Sequence, residues 1–163
     1  MNRRFALGFL TAGAAAWFLH RKVTHSNETT PQPELPKQRI VIVSKDGKRH
    51  DFDVEVADTL PQQTVGLMFR KSVPPDGGML FNWGSPRQSE MWMKNTLVPL
   101  DMVFIAANGT IDSIAENTVP HSLRNIASHG EVLATLELAG GTTARLGITV
   151  GDKVLAPMFH DMG

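Results

Sequence analysis

Between Gln38 and Ala156 turn signals interrupt the chain at intervals too short for any long helix: Asp46-Gly47, Gly77-Gly78, Asn108-Gly109, Gly140-Gly141 and Gly151-Asp152. The segments between them are brief, and they are β-branched or alternate apolar with polar residues, as strands do. Ile40–Val43 is a run of β-branched residues, and Phe52, Val54 and Val56 alternate with Asp51, Asp53 and Glu55, which predicts a hairpin with one wet face. Thr59 and Gln62 stand at capping-box spacing with Pro61 in the first turn, so a short helix is expected there, ending near Arg70. Met79–Phe81, Met91–Thr96, Asp101–Ala106, Thr110–Glu116 and Glu131–Leu138 read as further strands. Asn108-Gly109 predicts a type I′ turn. Val119–Gly130 reads as a long loop, Thr142–Leu146 as a helical turn stopped by Gly147, and Ile148–Val150 with Lys153–Ala156 as a closing hairpin. No strand–helix–strand rhythm asks for a parallel sheet. The expected fold is mainly β: a compact single-domain antiparallel β-sandwich or barrel with one or two short helices.

The N-terminus has a different character. Met1–Arg4 is basic, Phe5–Leu19 is an uncharged and mostly apolar run, and His20-Arg21-Lys22 closes it. These are the proportions of a signal peptide, and fifteen residues is short of the about twenty that span a bilayer. A cleaved peptide, cut after Ala14-Ala15-Ala16, and an uncleaved anchor both fit. Residues 23–37 are polar and carry Pro31, Pro33 and Pro36, which favour an extended tether. The division expected is 1–22 signal peptide or membrane anchor, 23–37 tether and 38–160 β-domain. The domain is expected to be exported, in the periplasm or tethered to the outer side of the cytoplasmic membrane.

Formal net charge over the 163 residues is +0, but residues 1–37 carry five basic and two acidic groups while 38–163 carry eleven basic and fourteen acidic ones. An acidic domain without a basic stripe argues against nucleic acid as a partner. With no cysteine, a disulfide framework, a thiolate nucleophile and cysteine metal sites are excluded. There is no nucleophile elbow, Walker loop or dinucleotide fingerprint, and the six histidines lack the spacing of a zinc helix. No cofactor and no metal are expected, and no catalytic residue is assigned.

Gly66-Leu67-Met68-Phe69-Arg70, Gly78-Met79-Leu80-Phe81, Trp92-Met93-Lys94-Asn95-Thr96 and Pro99-Leu100-Asp101 follow in close order, with Phe104-Ile105, Leu136-Glu137 and Gly151-Asp152 further on. Together, over roughly residues 40–156, they resemble the family of domain of unknown function 192. That resemblance implies a compact, mainly β single domain, often behind a signal peptide, and brings no established activity. Met91 departs from it, since the family more often has an aromatic residue there.

The block Trp92–Asp101 concentrates unusual side chains. Trp92, Lys94, Asn95, Thr96 and Asp101 are the candidate ligand-binding residues: Lys94 supplies a cation, Trp92 a stacking face and Asp101 a carboxylate. On a strand Trp92 and Lys94 share one face and Asn95 takes the other. The same residues also suit a tight corner in which Asp101 binds backbone amides. Glu137 and Asp152 form a second, acidic pair suited to acid–base chemistry; the simpler reading puts Glu137 on the solvent face with Leu133 and Thr135. Met68, Met79, Met91, Met93 and Met102 are soft ligands for Cu(I) or ordinary core fillers. The function expected is a non-enzymatic binding or accessory module of the cell envelope, using a groove near Trp92–Asp101 to hold a small ligand, an envelope polymer or a protein, and touching the membrane only through its N-terminal segment. The alternatives are a small envelope hydrolase or lyase using Lys94, Asp101 or Glu137, and Met-based Cu(I) binding.

Overall fold

The computed structural model describes residues 30–159. The segment 1–22 and the first part of the tether lie outside the described residues. Seven strands, β1 (Lys37–Val43), β2 (Arg49–Ala57), β3 (Gly77–Met91), β4 (Leu100–Ile105), β5 (Ile111–Ala115), β6 (Ile126–Ala139) and β7 (Lys153–Leu155), are joined by two short helices, α1 (Leu60–Val65) and α2 (Thr142–Leu146). They form one mixed sheet in the order β5-β4-β6-β3-β2-β1-β7, rolled into a half-barrel. The expectation of a mainly β fold with one or two short helices is met, though the sheet is mixed where an antiparallel one was expected.

All pairings are antiparallel except β2 with β3. The connection between those two carries α1 and is long enough for a crossover, which a parallel pair requires. The helix that was read in isolation is therefore the middle of a strand–helix–strand unit.

At the open side of the half-barrel the β4–β5 hairpin meets β7. Thr110 bridges Lys153, and the Val154 N–H donates to the Gly109 carbonyl at 2.8 Å. Gly109 has φ +78°, and a Cβ there would stand 2.6 Å from the Val154 carbonyl oxygen, so both the turn and the close approach need glycine. Asn108 does not take positive φ, so the turn is not the type I′ expected. The register slips between Phe104 and Ile105 instead, as in a hairpin with a bulge glycine.

Two apolar cores lie on opposite faces of the sheet. One gathers Ile40, Ile42, Leu80, Val103, Leu136 and Leu138. The other gathers Met79, Phe81, Met102 and Phe104, covered by Leu67 and Met93 from loops. β6 is central, and residues 132–138 are buried on both faces. Other differences from the sequence reading are local. α1 stops at Gly66 and the chain continues in turns to Arg70. Residues 92–96 leave the sheet and form a loop, and β7 pairs with β1, not with residues 148–150. The end of the predicted tether lies along the domain: the Gln32 side chain donates to the carbonyls of Gln62 and Gly66, and Leu35 packs on the second core.

Candidate ligand-binding site

The second core is not closed over. Between α1, the outer part of β3 and the 92–96 loop lies a cavity of about 290 Å³. One wall is α1 and the turn after it. Thr59 accepts from the Gln62 N–H while the Gln62 side chain accepts from the Thr59 N–H, the capping box the sequence predicts. Gln63 then pins the helix to the sheet, donating to the carbonyls of Ala57 and Asn82 at 3.1 and 2.6 Å. Gly66 ends the helix against Phe81, where a Cβ would come within 3.0 Å of the ring.

The opposite wall is the 92–96 loop. Met93 is its plug: fully buried, with its sulfur accepting from Thr118 Oγ1 at 3.1 Å. Asn95 takes φ +55°, a conformation asparagine tolerates, and its carbonyl accepts from the Phe69 N–H at 2.9 Å. With Met93 inward, Trp92 and Lys94 are turned to the same side, and the Lys94 ammonium lies 5.3 Å from the Trp92 ring centroid. Both line the cavity, as does Thr96. Trp92 is 48% exposed, so it stands at the mouth. β3 adds Trp83, with the Arg87 guanidinium 5.2 Å from its ring, and the Trp83 indole N–H donates to Thr135 Oγ1.

Glu137 lies at the inner end. In the ladder across β4, β6 and β3 it stands between Met102 and Met79, next to the Phe104–Thr135–Phe81 row. It is 4% exposed and lines the cavity. Among the described residues, no hydrogen bond or ion pair reaches its carboxyl. Burial alone pushes that carboxyl up from 4.5 to about 8, so it holds its proton at neutral pH. This corrects the solvent-face reading of Glu137. The signal was present in Val132–Leu138, where only Thr135 and Glu137 are polar: a strand apolar on both faces is a central one.

The other candidates divide. Asp101 is fully buried and does not line the cavity. Its carboxylate accepts from the N–H groups of Asn117, Gly141 and Thr143 and from Thr143 Oγ1, at 2.8–2.9 Å. It anchors the start of α2 to the end of β5. Asn95 shapes the loop, and its side chain reaches Met68. Asp152 belongs to another corner, accepting from the Thr149 and Lys45 N–H groups, so it makes no pair with Glu137. Met79, Met93 and Met102 are core packing. Sequence reasoning missed Trp83, Arg87 and Gln63, which come to the site only through the crossover and the length of β3.

A second cavity, about 410 Å³, opens beside Glu55, Arg70 and Asp76. Its Arg70 pairs with Glu55 at 3.0 Å and its Lys37 with Glu34 at 2.8 Å.

Residues 41–156 match the model of the family DUF192, described as "Uncharacterized ACR". The chain belongs to this family. The DUF192 domain is also similar to two solved structures. One, from Sinorhizobium meliloti 1021, carries the designation of candidate transcription regulator; it is 45% identical, with a TM-score of 0.76, over 78% of this chain and 98% of that one. The other, a protein of unknown function from Novosphingobium aromaticivorans DSM 12444, is 38% identical with a TM-score of 0.73, over 77% and 91% of the two chains. No curated protein matches this DUF192 chain.

Proposed function

We propose that this DUF192 domain is a small-molecule-binding module of the cell envelope, with its site in the cavity between α1, β3 and the 92–96 loop. The observation that carries this is the Glu137 carboxyl: buried, without a hydrogen-bond partner among the described residues, and open to a cavity. The carboxyl is reached from the cavity, and nothing in the packing requires one between two methionines. A bound ligand supplies the missing partner. A pocket in which apolar walls and polar groups converge on one perturbed carboxyl is a common form of ligand site. The location rests on the sequence: a basic start, an apolar run and a Pro-rich tether.

A second reading, a hydrolase or lyase, draws on Lys94 and Glu137 lining the same cavity, a cation and a carboxylic acid that keeps its proton. Asp101 drops out of it, since its four hydrogen bonds occupy both oxygens. The regulator designation of the Sinorhizobium protein would ask for a basic DNA-binding face, and residues 38–163 hold more acids than bases. The test is a metabolite and envelope-fragment screen of the full chain by ligand-observed NMR. Hits that disappear with Glu137→Leu and Trp92→Ala support the site; hits indifferent to both refute it. A compound consumed during the screen moves the conclusion to the enzyme. A reporter fused after Gly163 that is active only in the cytoplasm refutes export.

A further inference from the structure

We propose that the rim of the cavity is a membrane-docking face: Leu60, Trp92, Leu97, Val119 and Leu123 rest together in the headgroup region of the bilayer that holds the N-terminal segment. This goes beyond the binding reading above. It rests on the envelope location in that reading, with Phe5–Leu19 kept as an anchor, and it departs from the expectation that only the N-terminal segment touches the membrane.

Six large apolar side chains stand exposed among the described residues, and five of them belong to three neighbouring segments. Leu60 opens α1 and is 76% exposed; Trp92 stands on the opposite wall of the cavity that both line. Leu97 follows Thr96, which lines the same cavity. Val119 and Leu123, 68% and 69% exposed, come from the loop between β5 and β6. Two backbone hydrogen bonds tie that loop to the 92–96 loop: the Met93 N–H donates to the Ser122 carbonyl at 2.9 Å, and the His121 N–H to the Thr96 carbonyl at 3.2 Å. Val150 alone lies elsewhere, in the turn before β7. A single exposed leucine needs no explanation, but five large apolar residues gathered around one opening mark an interaction surface.

What covers this surface follows from where the chain enters the domain. The Gln32 side chain donates to the carbonyls of Gln62 and Gly66, so the tether comes in along α1, beside the rim. Between Lys22, which closes the apolar run, and Gln32 lie nine residues, which reach about 35 Å at most when fully extended. An anchor in Phe5–Leu19 therefore keeps α1 within that distance of a bilayer, and the rim is the apolar surface next to the point of attachment. A tryptophan flanked by aliphatic side chains is also the composition that settles at a membrane–water boundary. A second copy of the chain could bury the same residues, but it would have no tie to the place where the tether enters. Docked in this way, the cavity opens onto the membrane surface.

The chain has no cysteine, so a single nitroxide label can be placed at will. Leu60→Cys and Leu123→Cys label two sides of the rim, and Val150→Cys is the control, exposed and apolar at the start but outside it. Each full-length variant is mixed with vesicles of phosphatidylethanolamine and phosphatidylglycerol and recovered by flotation. Electron paramagnetic resonance then reads collisions of the label with oxygen and with a water-soluble nickel chelate. On vesicles the Leu60→Cys and Leu123→Cys labels should gain oxygen collisions and lose most of those with nickel, while the Val150→Cys label keeps its nickel collisions. Adding Leu97→Asp and Val119→Asp should return the Leu60→Cys label to water while the chain still floats. Floating chains whose two rim labels stay in water overturn the docking and leave the anchor standing, and shielding of all three labels overturns this choice of face. A chain that does not float overturns the anchor and the proposal with it. Rim labels already shielded before vesicles are added assign the surface to a second copy and overturn the lipid.

Discussion

Glu137→Gln keeps the shape of the side chain and removes its titration, so it isolates what a buried carboxyl does to stability. In the unfolded chain this group loses its proton near pH 4.5; in the folded domain it holds it to about 8. Below pH 4.5 both states are protonated and the difference vanishes. Between 4.5 and 8 the folded state binds one proton more than the unfolded state, so folding stability must fall as pH rises. The loss is about 1.4 kcal/mol per pH unit, roughly 5 kcal/mol once pH passes 8. A domain of this size has about 5–15 kcal/mol in total, so the effect is large. Urea unfolding at unit steps from pH 5 to pH 9 should show the wild type losing stability steadily while Glu137→Gln loses far less. Other titrating groups are common to both proteins and cancel in the difference. Parallel profiles would mean that water or a neighbour stabilises the carboxylate, and the reasoning about a desolvated, unpartnered Glu137 would be wrong.

Asp101→Ala strands three backbone N–H groups and should cost roughly 3–5 kcal/mol, while Lys94→Ala should shift the melting temperature much less; thermal melts showing the reverse order would make Lys94 the structural residue. Gly78→Ala would place a Cβ 2.2 Å from the Glu137 carbonyl oxygen, a backbone atom that cannot move aside, so circular dichroism should show no folded domain. Thr59→Ala removes the acceptor of the α1 capping box and should cost about 1 kcal/mol in urea unfolding.

Much of this fold is legible because its signals are local. The Thr59–Gln62 box, the Gly147 stop and the alternation in β2 each depend on residues a few positions apart. What stayed hidden depends on partners distant in sequence. Met91–Thr96 has the composition of a strand, but Met93 is held by Thr118 and Asn95 by Phe69, and those contacts bend the segment out of the sheet. Alternation separates Glu137 from Leu136 and Leu138, and the apolar run hints that both faces are covered, yet neither names Leu67 and Met93 as the cover. The pairing of Trp92 with Lys94 emerges on one side, though from a loop wound around a buried methionine and not from strand parity.

The place of β7 has a kinetic consequence. β1 pairs on one side with β2, its neighbour in sequence, and on the other with Lys153–Leu155, which is synthesised long after it. Closing a loop that long costs entropy before any contact repays it, so this pairing belongs late in folding. Until then Val41–Val43 presents a bare apolar edge, the kind of template on which chains aggregate. A chain that crosses a membrane unfolded would meet this hazard on the far side, with β7 arriving long after β1. Loss of β7 would remove no part of the cavity, yet it would leave that edge permanently open. The amount of usable protein is therefore governed by a strand that lines no part of the cavity.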